Sequence, residues 1–380
     1  MKFVNGSHEN IIIPDPLEFD VYKHLERIGK TCYKSEDKIT DDSCVKYLNM
    51  IRDRKHWAML EHYVFVMRVS SDIYKDIRSA CHKFNDDYML KEKIKFIDYS
   101  YTDDISDVGR RKYYVSGSIT SFNYIWECPS MINNTIKNLN KHGLVKICML
   151  LHRYFPEISK IPEECKEKYD DTGFLNMSKI RLLTREEIKS LPYEQRIIHD
   201  SLSIRFITNL GVSHDLVRSR PVSYAMESTR WINYSKKCGY TYTVPLWFNK
   251  DEKEFLLTSE EDVFENLISG QYVPMCLSDE AVKWIRHLKE VENTYKYFSK
   301  EVGYQNDKTS LLLPKNYKTE LVLTTRIYEW KHLFFLRCQN DVRPDMRRII
   351  VPLVKELIES GDSIWDDQKK LYDGVNKDYE

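Results

Sequence analysis

Long apolar runs, paired cysteines and net charge are all missing from this 380-residue chain. No segment approaches the ~20 consecutive apolar residues that a membrane-spanning helix needs. The first residues also lack the apolar stretch and cleavage site of a signal peptide. The nine cysteines form no C-x-x-C pair, and no Cys/His spacing is typical of a zinc site. We therefore expect reduced thiols, no metal and a cytosolic location, either in a bacterium or in the host cell of a phage.

The balance of charge argues against a polymeric or membrane partner. Lys plus Arg and Asp plus Glu both count 58, so binding of a nucleic acid polymer or an anionic membrane through bulk charge is not expected. Hydrophobic residues make up 42% of the chain, which is enough for a large core. A small anionic ligand would have to be held by a local group of basic residues.

Hydrophobic spacing predicts a mixture of helices and strands. Apolar residues three and four apart predict helices over 18–33, 41–54, 71–90, 120–155, 195–210, 259–300 and 323–337. Alternation predicts strands over 63–69 and 113–116, and a strand or an extended segment over 241–248. We interpret the chain as a single domain, 1–380, with insertions near 80–110 and 156–190, because no flexible Gly/Ser linker divides it.

The densest group of basic residues is formed by Arg218, Arg220 and Arg230. It follows the predicted helix 195–210 and a predicted break at Gly211. The proline directly after Arg220 argues against a continuing helix, so we predict an arginine-lined loop. Guanidinium groups suit a phosphate or a carboxylate, because they donate two parallel hydrogen bonds. The alternative is a solvated loop with surface ion pairs, the commoner role for such a cluster.

This stretch resembles a family signature. In flavin-dependent thymidylate synthases an Arg-His-Arg triplet is followed, after seven residues, by Ser; here Arg218-x-Arg220 is followed at that spacing by Ser228. Further identities resemble the long-chain branch of the family: Glu227-Ser228-Thr229-Arg230 and Asn233-Tyr234-Ser235-Lys236. Ser219 stands where the family has its central His, so the chain resembles a divergent member.

A second region, 311–348, resembles the C-terminal half of the same family. The matching runs are Leu313-Pro314, Lys318-Thr319-Glu320, Glu329-Trp330-Lys331-His332 and Leu336-Arg337. On the predicted helix 323–337, Arg326 and Arg337 would fall within ~20° of one face and roughly 16 Å apart. The alternative is a buried helix with two exposed arginines. The chain departs from the family at Thr309-Ser310, at Arg326 and at Val342-Arg343.

The resemblance implies three overlapping sets of site residues. The implied catalytic residues are Arg218, Arg220 and Arg337. The implied substrate-binding residues are Glu227, Ser228, Arg230 and Arg337. The implied cofactor-binding residues are His62, Arg218, Ser219, Arg220, Glu227, Arg326 and His332. His62 is included because the run Leu60-Glu61-His62 precedes a predicted strand, as in the family.

The resemblance also implies a fold and a reaction. The fold would be α+β, a mixed α/β arrangement with a helix-flanked, largely antiparallel sheet, assembled as a homotetramer with shared active sites. Reduced FAD would donate a hydride, methylenetetrahydrofolate would supply a one-carbon unit, and NADPH would reduce the flavin. The acceptor would be C5 of a pyrimidine deoxynucleotide monophosphate, with dUMP expected first. The alternatives are dCMP as substrate, hydroxymethyl as the group transferred, or a non-catalytic paralogue that binds a nucleotide or a partner.

Overall fold

The computed structural model describes residues 1–17, 20–84, 97–103, 111–125, 143–159, 179–236 and 239–376. The strands are β1 (Lys2–Val4), β2 (Ser7–Ile11), β3 (Val64–Val69), β4 (Asp98–Asp103), β5 (Arg111–Ser118), β6 (Ile180–Leu182), β7 (Ser201–Asn209), β8 (Ser223–Met226), β9 (Thr241–Thr243) and β10 (Lys318–Arg326). The helices are α1 (Asp20–Thr31), α2 (Ser43–Asp53), α3 (Ser71–Phe84), α4 (Ile119–Ile125), α5 (Gly143–Tyr154), α6 (Arg185–Lys189), α7 (Tyr193–His199), α8 (Leu210–Leu216), α9 (Lys250–Thr258), α10 (Glu261–Ser269), α11 (Asp279–Lys296), α12 (Asn306–Thr309), α13 (Ile327–Arg337), α14 (Pro344–Glu359) and α15 (Lys369–Asp373).

Two antiparallel sheets of four strands organise the described part of the chain. The β10 sheet has the order β2-β7-β10-β8, and the β3 sheet has the order β4-β5-β3-β6. A separate parallel pair joins β1 to β9. Helices α13 and α14 pack on the β10 sheet, whereas α1, α2, α3 and α5 contribute to the core beside the β3 sheet. The expected α+β class, with largely antiparallel sheets flanked by helices, is confirmed.

The predicted helix over 195–210 is wrong. Tyr193–His199 is helical, Ser201–Asn209 forms strand β7, and a separate helix, α8, begins at Leu210. The β-branched residues of this strand favour an extended backbone, and its pairing with β2 and β10 outweighs the helical spacing of its apolar residues. Gly211 is not a break, because it lies inside α8, whose first turn is capped by Asn209 accepting a 2.8 Å hydrogen bond from the backbone of Val212.

The predicted helix over 323–337 is also wrong in its first turn. Residues Lys318–Arg326 form β10, which pairs with β7 on one side and β8 on the other, and the helix begins at Ile327. Threonines 324 and 325 favour the strand because both are β-branched. Arg326 and Arg337 therefore do not share a helix face.

Other predicted elements are confirmed, shortened or divided. Helices 18–33 and 41–54 and strands 63–69 and 113–116 are confirmed as α1, α2, β3 and β5. The predicted helix 259–300 is divided into α10 and α11, because Gly270, with φ of 76°, ends the first in a left-handed conformation. The strand predicted over 241–248 is confined to Thr241–Thr243.

Several predictions extend beyond the described residues. The helix predicted over 71–90 is confirmed as α3 up to residue 84, and the described parts of 120–155 lie in α4 and α5. The regions expected as insertions supply the two edge strands of the β3 sheet, β4 and β6. Within these predictions, residues 85–96, 104–110, 126–142 and 160–178 lie outside the described residues. No helix in the described ranges is both long and apolar enough to cross a membrane.

Candidate functional site

A small cavity lies between the two four-stranded sheets. Residues of β3, β4, β5, β8 and β10 contribute to its walls, and its volume is about 20 Å³, room for about one water molecule. Its lining includes Glu61, Pro221 and Arg326. The first two directly adjoin His62 and Arg220 in sequence, so the fold gathers three segments that carry predicted cofactor residues.

His62 lies in the interior beside this cavity and does not reach the surface. Its side chain is fully buried, and its Nδ1 atom lies 2.8 Å from the Thr324 hydroxyl, which in turn lies 2.8 Å from the Ser203 hydroxyl. Burial lowers the His62 pKa to about 3, and the nearby His24 ring acts in the same direction. The imidazole is therefore neutral near pH 7 and orients Thr324 rather than carrying charge.

Arg326 closes one side of the cavity through an ion pair. Its Nε atom donates a 2.8 Å hydrogen bond to Oδ2 of Asp98, the first residue of β4, and only 5% of Arg326 is exposed. Burial raises the Asp98 pKa, against the opposing effect of Arg326. Glu329 follows Arg326 by three residues. Burial is the larger of two effects that raise its pKa to about 7, and the Asp98 charge is the smaller. Burial therefore opposes the ionisation of both carboxyl groups in this corner, and the Arg326 cation offsets that effect at Asp98.

The predicted arginine loop meets the end of α13. Arg337 donates a 2.7 Å hydrogen bond from Nη2 to the main-chain oxygen of Asp215, although 122 residues separate the two. The Asp215 carboxylate lies 3.4 Å from the Arg218 guanidinium. The Nε atom of Arg337 is buried and has no hydrogen-bond partner among the described residues. A buried donor of this kind is stabilised by an acceptor atom of a ligand.

Tyr224 fixes the conformation of the same loop. Its single hydroxyl proton is shared between the main-chain oxygens of Leu216, at 3.0 Å, and Ser219, at 2.8 Å. Arg220 lies over its ring, with the guanidinium carbon 5.4 Å from the ring centroid. Burial raises the Tyr224 pKa to about 12, against the opposing effects of Arg220 and Ser219. The backbone of the loop is thus fixed, whereas the Arg218 and Arg220 side chains stay exposed.

Glu227 belongs to a buried network of charges. It is 3% exposed, accepts a 2.9 Å hydrogen bond from the Tyr234 hydroxyl, and lies 3.1 Å from Lys318 and 3.7 Å from Lys34. Both lysines also pair with Glu320. Since its carboxylate is satisfied by side chains of its own protein, Glu227 positions neighbouring groups rather than offering a free charge.

The remaining predicted site residues, Ser228, Arg230 and His332, do not line the small cavity. Ser228 is half-buried, and its backbone N–H donates a 2.9 Å hydrogen bond to the Cys32 carbonyl. Arg230 and His332 are exposed, and neither side chain forms a hydrogen bond or ion pair with another residue that the structure describes. The fold thus gathers Arg218, Ser219, Arg220 and Arg337 in one place, and His62 and Arg326 around the cavity. It does not join Arg230 or His332 to either group through polar contacts within the described ranges.

Sequence reasoning missed Asp98, Asp215 and Tyr224. Asp98 is 228 positions from its partner Arg326, and no spacing in one sequence connects them. Asp215 and Tyr224 flank the arginine loop, so their proximity was a signal that could have been used. No group of three or more His, Cys, Asp or Glu residues suited to a metal ion is found in the described ranges.

Comparison with known proteins gives a family match and two weaker likenesses. The family model described as thymidylate synthase complementing protein matches residues 163–360, which is 198 of 380 residues. The flavin-dependent thymidylate synthase of Pyrococcus furiosus is 24% identical over 151 residues, covering 40% of this chain and 51% of the relative. The chain thus matches about half the length of that curated relative.

The third comparison is with a crystal structure of thymidylate synthase X from Helicobacter pylori with FAD and dUMP. That structure is 17% identical in sequence, with a TM-score of 0.31, over 44% of this chain and 72% of the other. The assignment rests on the family model, which spans both the arginine loop and α13. The chain therefore belongs to the thymidylate synthase complementing protein family, the flavin-dependent thymidylate synthases, as a divergent member.

Proposed function

We propose that this protein is an enzyme of the flavin-dependent thymidylate synthase type. It transfers a one-carbon unit from methylenetetrahydrofolate to C5 of a pyrimidine deoxynucleotide monophosphate, with dUMP as the first candidate. The observation that carries the proposal is the contact between Arg337 and the arginine loop through Asp215. This contact brings together two cationic elements that the family resemblance had assigned to one site.

The arginines suit a ligand that carries negative charge at two points. Arg218 and Arg220 are exposed on a loop of fixed backbone, so they can bind a phosphate without much loss of order. Arg337 has a buried, unpartnered Nε donor, which suits the carbonyl oxygen of a pyrimidine. Negative charge develops on that oxygen as C5 becomes a nucleophile, and a donor held in place stabilises it.

Ser228 and Arg230, which follow the arginine loop, are proposed to bind the nucleotide phosphate. The Ser228 hydroxyl forms no hydrogen bond with another described residue, and Arg230 is exposed. Glu227 supports this segment from beneath through Tyr234 and Lys318. In this proposal the buried Glu227 carboxylate positions the segment, and Ser228 and Arg230 contact the ligand.

The residues fit FAD in part. When bound, FAD supplies the hydride, and NADPH is proposed to reduce it. Arg218 and Arg220 suit its diphosphate, but the cavity beside Arg326 measures about 20 Å³, far below the ~300 Å³ of a small ligand pocket. Arg326 is moreover paired with Asp98. FAD would therefore be held outside this cavity, and we propose that the neighbouring subunits of a cytosolic homotetramer complete its site.

A second candidate function is nucleotide binding without catalysis. Two observations favour it: Ser219 stands in place of the family's His, and the ion pair between Arg326 and Asp98 fills the space beside the loop. An altered reaction, on dCMP or with a hydroxymethyl product, is the other variant of the proposal. The flavin spectrum of the purified protein separates the catalytic candidates from the non-catalytic one.

The test combines that spectrum with nucleotide titration and turnover. Arg337→Gln and Arg230→Ala should each weaken dUMP or dCMP binding by one to two decades, because a lost charge-assisted hydrogen bond costs ~1.5–3 kcal/mol. Arg52→Gln is the matched control, since Arg52 also donates to a main-chain oxygen, that of Glu157, at 2.9 Å. The control should bind like the wild type.

The outcomes separate the candidates. Bound flavin and NADPH-dependent turnover of either nucleotide support the enzyme. Nucleotide binding that depends on Arg337, without flavin or turnover under any reductant, supports the binding protein. If both site variants bind nucleotides as the wild type does, the arginine loop and α13 do not form the site.

A further inference from the structure

A second cavity is lined by none of the arginine-loop residues Arg218, Ser219 and Arg220, and it adjoins helix α8 through Arg343, which lies 3.7 Å from Asp215. Its volume is about 430 Å³, and it opens between the end of β7, the segment after β9, helix α11 and the start of α14. None of the predicted site residues lines it. The volume is within the range of pockets that hold a single small organic ligand.

One wall of this cavity is aromatic. Trp247 is 65% exposed, and its ring lies 6.2 Å from that of Trp284 at an angle of 84°. The buried ring of Phe248 supports both, at 4.2 Å from Trp247 and 5.2 Å from Trp284. A large indole held in place with its surface exposed is a stacking platform for a planar ring.

The polar groups of the cavity are mostly donors. The Nδ2 atom of Asn316 is buried and has no hydrogen-bond partner among the described residues. The Lys315 side chain is exposed and its ammonium forms no ion pair or hydrogen bond with another residue in the described ranges, whereas its main-chain oxygen accepts a 3.1 Å hydrogen bond from Gly211. Arg343 lies 3.7 Å from Asp215 and 3.4 Å from Asp345. Both distances are long for an ion pair, so neither carboxylate holds the guanidinium closely. Since Asp345 is the sole carboxylate in the lining, the cavity has an excess of positive charge and of unfilled donors.

We propose that this cavity is a second binding site, for a planar aromatic ligand that carries a carboxylate or a phosphate. The ring stacks on Trp247, and the anionic group accepts hydrogen bonds from Lys315 and Asn316. A neutral aromatic compound gains the stacking alone and leaves the buried donor of Asn316 unfilled. An anion without a ring gains the charge alone, from lysine and arginine side chains that are largely hydrated. Neither the aromatic ring nor the anionic group is sufficient alone, so the proposed ligand carries both.

The test uses 2-naphthoate and its neutral amide, 2-naphthamide, as matched probes of the purified protein. Binding is followed by quenching of tryptophan fluorescence and by calorimetry. We expect 2-naphthoate to bind at least tenfold more tightly than 2-naphthamide. Trp247→Phe should weaken both probes, because a smaller ring offers less stacking area, and Trp247→Ala should weaken both by tenfold or more. Lys315→Gln should weaken 2-naphthoate and leave 2-naphthamide unchanged.

Two controls keep the result specific to this cavity. Trp231→Ala removes another exposed tryptophan, 70% exposed, outside the cavity lining, and should leave the affinity for both probes unchanged. Trp247 and Lys315 are exposed, so their variants should keep the wild-type circular dichroism and unfolding midpoint. Flavin content and nucleotide affinity should also be unchanged, which separates this site from the proposed active site.

Three results would overturn the proposal. The first is equal affinity for the two probes, or no binding of either. The second is binding of 2-naphthoate that Lys315→Gln and Trp247→Ala leave unchanged. The third is a loss of flavin or nucleotide binding in Trp247→Ala, which would make the cavity part of the active site.

Discussion

Glu320 is the residue whose removal should test the buried charge network most directly. It is 4% exposed and pairs with Lys34, Lys318 and Arg205; the Nε atom of Arg205 donates to it at 3.0 Å. Glu320→Gln keeps the shape of the side chain and removes its charge. Lys34 and Lys318 would then retain Glu227 as their buried carboxylate, and Arg205 would retain the exposed Glu9.

The magnitude follows from two independent arguments. Removing one partner from a buried ion pair costs about 3–5 kcal/mol, because the other charge stays desolvated. Burial alone would raise the Glu320 pKa, but Lys318 and Lys34 lower it from 4.5 to about 2. A shift of that size corresponds to about 3 kcal/mol of stabilisation of the charged form. We therefore expect Glu320→Gln to lower the free energy of unfolding by about 3 kcal/mol at pH 7.

The dependence on pH has a definite sign. Because the folded pKa is lowered, the stabilisation by Glu320 is fully present above pH 4.5 and is lost as the pH falls towards 2. The difference between wild type and Glu320→Gln should shrink over that interval, as measured by urea unfolding at several pH values.

Glu9→Gln is the matched control for Glu320. Glu9 lies 3.5 Å from the same Arg205, but its side chain is 47% exposed, so its removal should cost under about 1 kcal/mol. If Glu320→Gln costs no more than Glu9→Gln at pH 7, the buried network does not stabilise the fold as reasoned.

Two further substitutions test other parts of the structure. Burial and Asp98 raise the Glu329 pKa to about 7, so ionisation of Glu329 destabilises the fold as the pH rises from 4.5 through 7. Glu329→Gln should therefore be about 1 kcal/mol more stable than the wild type at pH 8.5, after allowance for partial exposure, and equally stable at pH 4; a variant less stable at pH 8.5 would contradict this. Gly29→Ala would bring a methyl group to 1.9 Å from the Tyr47 hydroxyl and should cost about 1–3 kcal/mol. Thermal unfolding should reveal this cost, and Gly374→Ala, whose methyl group would meet no atom closer than 3.6 Å, should not show it.

The sequence predicts a site by its resemblance to a family but does not give the geometry of that site. Arg218, Arg220 and Ser228 were predicted from the spacing of the family signature, and Arg337 from a second run of identities, so the two halves of the proposed site were predicted separately. Their meeting through Asp215 depends on tertiary structure. The pairing of Arg326 with Asp98 was equally out of reach, because each residue forms half of an ion pair that only the contact between the sheets completes.

The prediction of secondary structure was wrong where helical spacing and strand propensity favoured different elements. Apolar residues near Ile204 and Phe206 fit both a helix and a strand, and the strand won because β2 and β10 satisfy its backbone on both sides. The same competition moved the start of α13 to Ile327. In contrast, residues 64–69 alternate with several β-branched side chains, and no competing pattern obscured them.

Strand β10 has a consequence for how this protein can diversify. Eight of its nine residues are buried, and both of its edges are paired. Along this one strand Glu320 anchors the charge network, Thr324 holds His62, and Arg326 closes the cavity. A substitution on this strand that changed ligand preference would also lower the stability of the fold. Selection for a new substrate therefore acts with least resistance on the exposed loop, and Ser219 is where this chain has already changed.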